Sequence, residues 1–356
     1  PLLTLASLGS VTLVTLWVFA LNALAWVAVS TRGRAVTLAF AVVLAAPWIV
    51  GAWWIGPPRP PSGPAVALIQ GDIPGEIKWE GRHQQQILDT FLSLSDRAAH
   101  DPEKPRVIVW PETATGSYLS RQLDQALQVV AFAARAGVSV FSGFAHYEIG
   151  SDGKPRYLNA AGMFRPDGSS DPVYGKRHLV PFGERMPFQA LIPALGRIDL
   201  GQAEWTPGKL PVLFEGGTGK FGCLICFESI FPDLAREDVR RGATWLVNIT
   251  NDEWFGRSVA LDQHAAMAVF RAAENHVPLA RCANTGITMM VDSFGRVVAS
   301  APTWESSVLV ARLDAPRGRT LFTAVGDWPG MVCSLIVAVQ LVIAARRALT
   351  PRVRRT

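Results

Sequence analysis

The sequence predicts a layered α/β domain carried between apolar, membrane-spanning helices. Three observations carry that expectation. Long uncharged stretches occupy both ends of the chain. Between them, short apolar runs bounded by Gly, Pro and Asp alternate with runs of helical period. Charged residues make up only 18% of the 356 positions, against about 25% in soluble globular chains. Twelve Trp and seventeen Phe exclude a disordered chain.

Residues 3–29 carry no charge and are almost wholly apolar, and residues 35–57 repeat the pattern. Residues 328–345 form a third, shorter uncharged run. A helix needs about 20 apolar residues to cross the hydrocarbon core. The first two runs are therefore full spans and the third is a short one. Arg32 and Arg34 lie between the first two spans, and Arg346, Arg347, Arg352, Arg354 and Arg355 follow the third. Cytoplasmic loops collect Lys and Arg, so both basic segments are expected on the cytoplasmic side of the membrane. The expected organisation is two spans in residues 1–57, one extracytoplasmic block in 58–327, and a span with a basic tail in 328–356. A chain that starts at Pro1 directly in an apolar run reads as the C-terminal part of a longer membrane protein.

The net charge of +5 invites a nucleic-acid partner, but its distribution excludes one. Without those seven Arg, 27 cations face 29 acids. No basic stripe remains to track a phosphate backbone. Four cysteines make no disulfide framework, and no GxGxxG or P-loop supports a nucleotide. Neither a cofactor nor a metal is expected.

Within the block, the Gly/Pro linker at 56–64 cannot continue a helix. Val66–Gln70 then reads as a strand ended by Gly-Asp, and Trp79–Ala99 as a helix. Arg106–Trp110 is a strand stopped by Pro111, and Asp124–Ala136 a helix closed by Gly137. Val138–Gly143 and Leu158–Phe164 are strands, the second followed by a Pro-Asp-Gly turn. Phe221–Cys226 is a strand. Phe231–Arg240 is a helix with Pro at its start and Gly242 past its end. Trp245–Thr250 is a strand and Val259–Asn275 a helix. Pro278–Ala283, Thr288–Asp292, Val297–Ala299 and Val308–Ala311 complete a strand-rich end. This order defines a mixed-sheet layered fold.

Cys226 ends an apolar strand just before a helix started by Pro232. Such an elbow exposes a side chain and frees nearby backbone N–H groups for an oxyanion. A strand cysteine is more often an inert core residue, so this position alone decides little. Cys223, three residues earlier, raises a redox or metal pair, but no second close pair or His follows at metal spacing. Glu112 follows an apolar strand and Pro111, at a sheet edge where sites gather. Lys176 lies in the loop-like segment YGKRHLVPFGE. A base, a cation and a thiol would suffice for covalent acyl chemistry.

The motifs WPET around Glu112, YGKRHLVPFGE around Lys176 and GCLICFES around Cys226 resemble the nitrilase (carbon-nitrogen hydrolase) superfamily. Further segments resemble its membrane-bound branch, the apolipoprotein N-acyltransferases. They are QGDIPGEIKW at 70–79, KRHLVPFGERMP at 176–187, ICFESIFP at 225–232, NITNDEWFG at 248–256 and NTGIT at 284–288. The resemblance implies a nitrilase-like αββα sandwich flanked by transmembrane helices of a bacterial inner membrane, with the sandwich on the periplasmic face. It implies a Glu112-Lys176-Cys226 triad that passes a fatty acyl chain from a phospholipid, through a cysteine thioester, to a lipoprotein. The acceptor would be the α-amine of that lipoprotein's N-terminal diacylglyceryl cysteine.

By the same resemblance Glu184 assists the lysine, Glu228 holds the elbow or the lysine, and the Phe227 N–H helps bind the oxyanion. Many relatives carry Tyr at the Phe227 position, so a hydroxyl is missing there. Trp79 would touch acyl chains, although a lone Trp is as often core. Asn251, Trp254 and Phe255 would shape the pocket mouth or pack its loop, and His264 would pack its helix or support the site from behind. Two lipidated substrates imply access from the bilayer, and one complete catalytic set implies a monomer. The competing readings are an amidase-type hydrolase with the same triad, a non-enzymatic membrane-anchored binding module, and a thiol redox or metal protein.

Overall fold

The computed structural model describes residues 1–57, 60–169, 171–189, 191–197 and 204–349. Arg352, Arg354 and Arg355 of the expected basic tail lie outside the described residues. The chain opens with helices α1 (Thr4–Thr31) and α2 (Arg34–Ile55). Then come β1 (Ala65–Gln70), α3 (Gly75–Trp79), α4 (Gln84–Ala99), β2 (Val107–Val109), α5 (Leu123–Ala136), β3 (Ser139–Ile149), β4 (Pro155–Phe164) and β5 (Tyr174–Gly175). The second half holds β6 (Leu213–Glu215), β7 (Lys220–Ile225), α6 (Pro232–Arg240), β8 (Trp245–Thr250), α7 (Ala260–Asn275) and β9 (Leu279–Ala283). It closes with β10 (Met289–Val291), β11 (Val297–Ser300), β12 (Ser307–Arg312), α8 (Leu321–Val325) and α9 (Trp328–Leu349).

Two compact units result, one of residues 1–56 and 319–356 and one of residues 57–318. In the helical unit, Thr4–Thr31, Arg34–Ile55 and Trp328–Arg347 are long and apolar enough to cross a membrane. Helix α1 is broken at Gly9 and Ser10, whose backbone is non-helical. A Cβ at Gly9 would lie 2.6 Å from the Pro329 ring, so only glycine lets these segments approach so closely.

The second unit holds two six-stranded sheets, in the orders β12-β1-β2-β3-β4-β5 and β11-β10-β9-β8-β7-β6. In each, three central strands are parallel and the flanking ones antiparallel. Strand β1 shows why the sequence forms layers: both its faces are apolar, and all six residues are buried. Val66 and Leu68 point into the space between the sheets, against Cys223, Val247 and Ile249. Ala67 and Ile69 point the other way, against Phe91 of α4 and Phe132 of α5. On the far side α6 and α7 cover the second sheet through Leu234, Ala268 and Ala272. The architecture is an αββα sandwich.

Three features differ from the sequence expectation. The helix expected over Trp79–Ala99 begins only at Gln84, and Trp79 ends a separate short helix, because Gly81 takes a left-handed φ of +74° between them. Strands β5 and β6 have only two and three residues, too short for a periodic signal. Helix α8 follows Arg319, where the chain rejoins the helical unit ahead of the third span.

Candidate active site

Glu112 leaves the carboxyl end of β2. The preceding Trp110 is fully buried, packs tilted against Phe91 with ring centroids 5.1 Å apart, and donates its indole N–H to Ser95 at 2.8 Å. That anchor fixes where Glu112 begins. Its Oε1 accepts from Asn159 Nδ2 at 2.7 Å and from Lys176 Nζ at 3.4 Å, and its Oε2 from the Asn251 N–H at 2.8 Å.

Lys176 follows β5 and is 1% exposed, so it must be paired. It donates to Glu184 Oε1 at 2.8 Å as well as to Glu112. Burial alone would push its pKa down. The carboxylates of Glu112 and Glu184 outweigh that and hold it above the ordinary lysine value, so it stays an ammonium. Glu184 also accepts from the Val180 N–H at 2.8 Å, and Asn159 bridges it to Glu112.

Glu228 is fully buried and sits between two chain segments. It accepts from the Tyr174 hydroxyl at 2.9 Å and from the N–H groups of Arg177 at 2.6 Å and His178 at 3.2 Å. It also accepts from the Ile225 N–H at 2.8 Å. One carboxylate thereby ties the lysine segment to the residue before Cys226. Burial raises its pKa, and those backbone donors act against the rise.

Cys226 directly follows β7, opens the short helical turn Cys226–Ile230, and adopts a left-handed φ of +51°. Non-glycine residues seldom hold this conformation, and it is found where a site needs it. The turn breaks the strand alternation that places Cys223 in the core between the sheets. Cys226 remains partly exposed, and both thiols are free. Burial and then the Glu112 charge push the Cys226 pKa up to about 12, against the Lys176 ammonium and the Thr250 hydroxyl. At neutral pH the resting group is a thiol beside a carboxylate and an ammonium. Such a thiol needs a base to take its proton as it attacks.

The remaining expected residues divide. Asn251 reaches Glu112 through its backbone, and its side chain pairs with Asn284 at 3.3 Å. Trp79 and Trp254 are 53% and 85% exposed, so neither is core. Phe255 packs edge-on to His264, and Phe227 edge-on to Phe231. Asn159, Tyr174 and Thr250 escaped the sequence reading. Asn159 and Thr250 carry one signal, a polar residue in or at the end of an apolar run, as in LNAAGMF, whereas Tyr174 in DPVYGKR carries none. Among the described residues, no three His, Cys, Asp or Glu side chains group as metal ligands.

The αββα sandwich and its sequence define the class first: an α/β domain of the carbon-nitrogen hydrolase type. The chain belongs to the carbon-nitrogen hydrolase family, whose sequence pattern matches residues 65–321. It is similar to the apolipoprotein N-acyltransferase of Geobacter metallireducens, with 39% identity over 284 residues, 79% of this chain and 54% of that protein. The enzyme of that name from Chlorobaculum tepidum is 34% identical over 307 residues, 79% of this chain and 57% of that one. The chain thus spans about half the length of these curated relatives. In fold it resembles a carbon-nitrogen hydrolase from Helicobacter pylori, with a TM-score of 0.54 and 18% identity over 70% of this chain and 88% of the other. An amidase from Nesterenkonia sp. gives 0.53 and 19% over 73% of this chain and 93% of its own.

Proposed function

We propose that this chain carries the catalytic part of an apolipoprotein N-acyltransferase, with Cys226 as the acyl carrier. The observation that supports it best is the convergence of Glu112 and Lys176, 3.4 Å apart, with the Cys226 thiol in the electrostatic field of both. Glu112 takes the thiol proton as sulfur attacks the ester carbonyl of a phospholipid. Lys176 and the Phe227 N–H receive the developing oxyanion. The intermediate collapses, the lysophospholipid alkoxide takes the proton from Glu112, and a thioester remains on Cys226. The α-amine of a diacylglyceryl cysteine then attacks the thioester and gives its proton to Glu112. Thiolate departs and is reprotonated. Each half-reaction returns the site to its starting charge, as ping-pong catalysis requires.

Glu184 keeps Lys176 charged and in place, and Glu228 fixes the spacing between lysine and elbow. The exposed rings of Trp79 and Trp254 offer apolar surface to the acyl chains of both substrates. With both basic segments cytoplasmic, the site would face the periplasm, and one chain would suffice as a monomer. No cofactor takes part. The test is mass spectrometry of the protein mixed with phospholipid. A single acyl adduct on Cys226, absent from Cys226→Ala and discharged by a lipo-cysteine peptide, is the expected result. An adduct discharged equally by water would instead indicate a hydrolase. No adduct on Cys226 would remove the proposal.

A further inference from the structure

Behind Cys226 lies a buried polar cluster that the acyl-transfer steps do not use. Asp252 and Arg281 are fully buried and paired through Arg281 Nη1 and Asp252 Oδ2 at 2.9 Å. His264, 5% exposed, adjoins both: its Nδ1 lies 3.0 Å from Asp252 Oδ1 and 3.0 Å from Arg281 Nη2. Its other nitrogen, Nε2, lies 3.2 Å from the carbonyl oxygen of Cys226 and 3.3 Å from the Ser229 hydroxyl. A carbonyl oxygen only accepts, so Nε2 carries the hydrogen and donates to it. Asn248 Nδ2 approaches the same oxygen at 3.5 Å.

That oxygen belongs to the peptide joining Cys226 to Phe227. A trans peptide is planar, with its C=O and N–H on opposite sides. Donors that hold the oxygen toward α7 therefore aim the Phe227 N–H away from α7. We propose that His264 is a positioning residue for the oxyanion: by holding the Cys226 carbonyl, it orients the Phe227 N–H toward the carbonyl under attack. The Asp252–Arg281 ion pair, packed against Nδ1, holds the imidazole in turn. The inference rests on the reading of Cys226 as acyl carrier.

Two reactions of the same sulfur separate the roles. Acylation by phospholipid passes through an oxyanion, whereas alkylation by iodoacetamide displaces iodide and forms none. In His264→Leu, single-turnover acylation of Cys226 is expected to slow by about 100-fold while alkylation stays within roughly threefold, since losing one oxyanion donor typically has that effect. His264→Gln, whose amide N–H reaches the same oxygen, is expected to recover much of the acylation rate. His264→Asn is too short to reach it and should show the same split, which decides the matter if the leucine variant does not fold. Equal losses in both reactions would mean that His264 holds the sulfur rather than the N–H, and would overturn the inference. Unchanged acylation would overturn it too. Wild-type protein that is alkylated but never acylated would instead sink the underlying acyl-carrier reading.

Discussion

The ammonium of Lys78 has no hydrogen-bond partner, although the residue is fully buried. Its stem packs on Gly116, where a Cβ would come within 2.6 Å of Lys78 Cγ. Burial lowers its pKa from 10.5 to about 8, against the pull of Glu112 and Glu253. Below pH 8 the folded chain bears the full cost of a buried charge. Between 8 and 10.5 the unfolded chain holds a proton that the folded one has shed, so stability rises with pH. Above 10.5 both forms are neutral and the cost is gone. Lys78→Met is therefore expected to be more stable than wild type at pH 7, by roughly 3 kcal/mol at most, with the gain fading toward pH 10.5. Unfolding curves in detergent at both pH values check this, and a gain independent of pH would contradict it. In the sequence, the KW dipeptide offers its Trp as the site residue. Nothing in the composition marked the Lys as the buried partner.

Strand β3 crosses directly beneath the loop that carries Glu112. A Cβ at Gly143 would lie 2.7 Å from the Pro111 carbonyl oxygen and 2.8 Å from Glu112 Cα. Both are backbone atoms and cannot swing aside. Gly143→Ala is expected to cost about 1–3 kcal/mol and to move Glu112 off its donors. Acylation of Cys226 should then fall further than the melting temperature alone explains. A variant with wild-type acylation and wild-type melting would show that the loop has room. The periodicity of α4 to α7 and the apolar runs of β1 and β7 to β9 were readable because each element buries one face or both. The break between α3 and α4 was not, because a single glycine in a charged segment looks like ordinary helix surface. Strands β5 and β6 exist only through their partners β4 and β7.

At the scale of the whole molecule, three long apolar helices predict an integral membrane protein. The expressed chain should float with lipid vesicles in a density gradient and stay there after an alkaline carbonate wash. Release into the wash would contradict the reading of these helices as spans. Such segments are legible without coordinates, since hydropathy and length are local properties. The motifs that hold Glu112, Lys176 and Cys226 are local too, and so are the alternating elements that specify a layered domain. Sequence alone therefore determined the class of fold, the apolar spans and the residue types available for chemistry. Only the tertiary structure decided which side chains meet. Asn159 bridges Glu112 and Glu184, Glu228 fastens the lysine segment to the elbow, and His264 reaches the Cys226 carbonyl. Apart from the local Ile225–Glu228 bond, these hydrogen bonds join residues 25 to 51 positions apart, set by strand order and sheet packing, which no local pattern encodes.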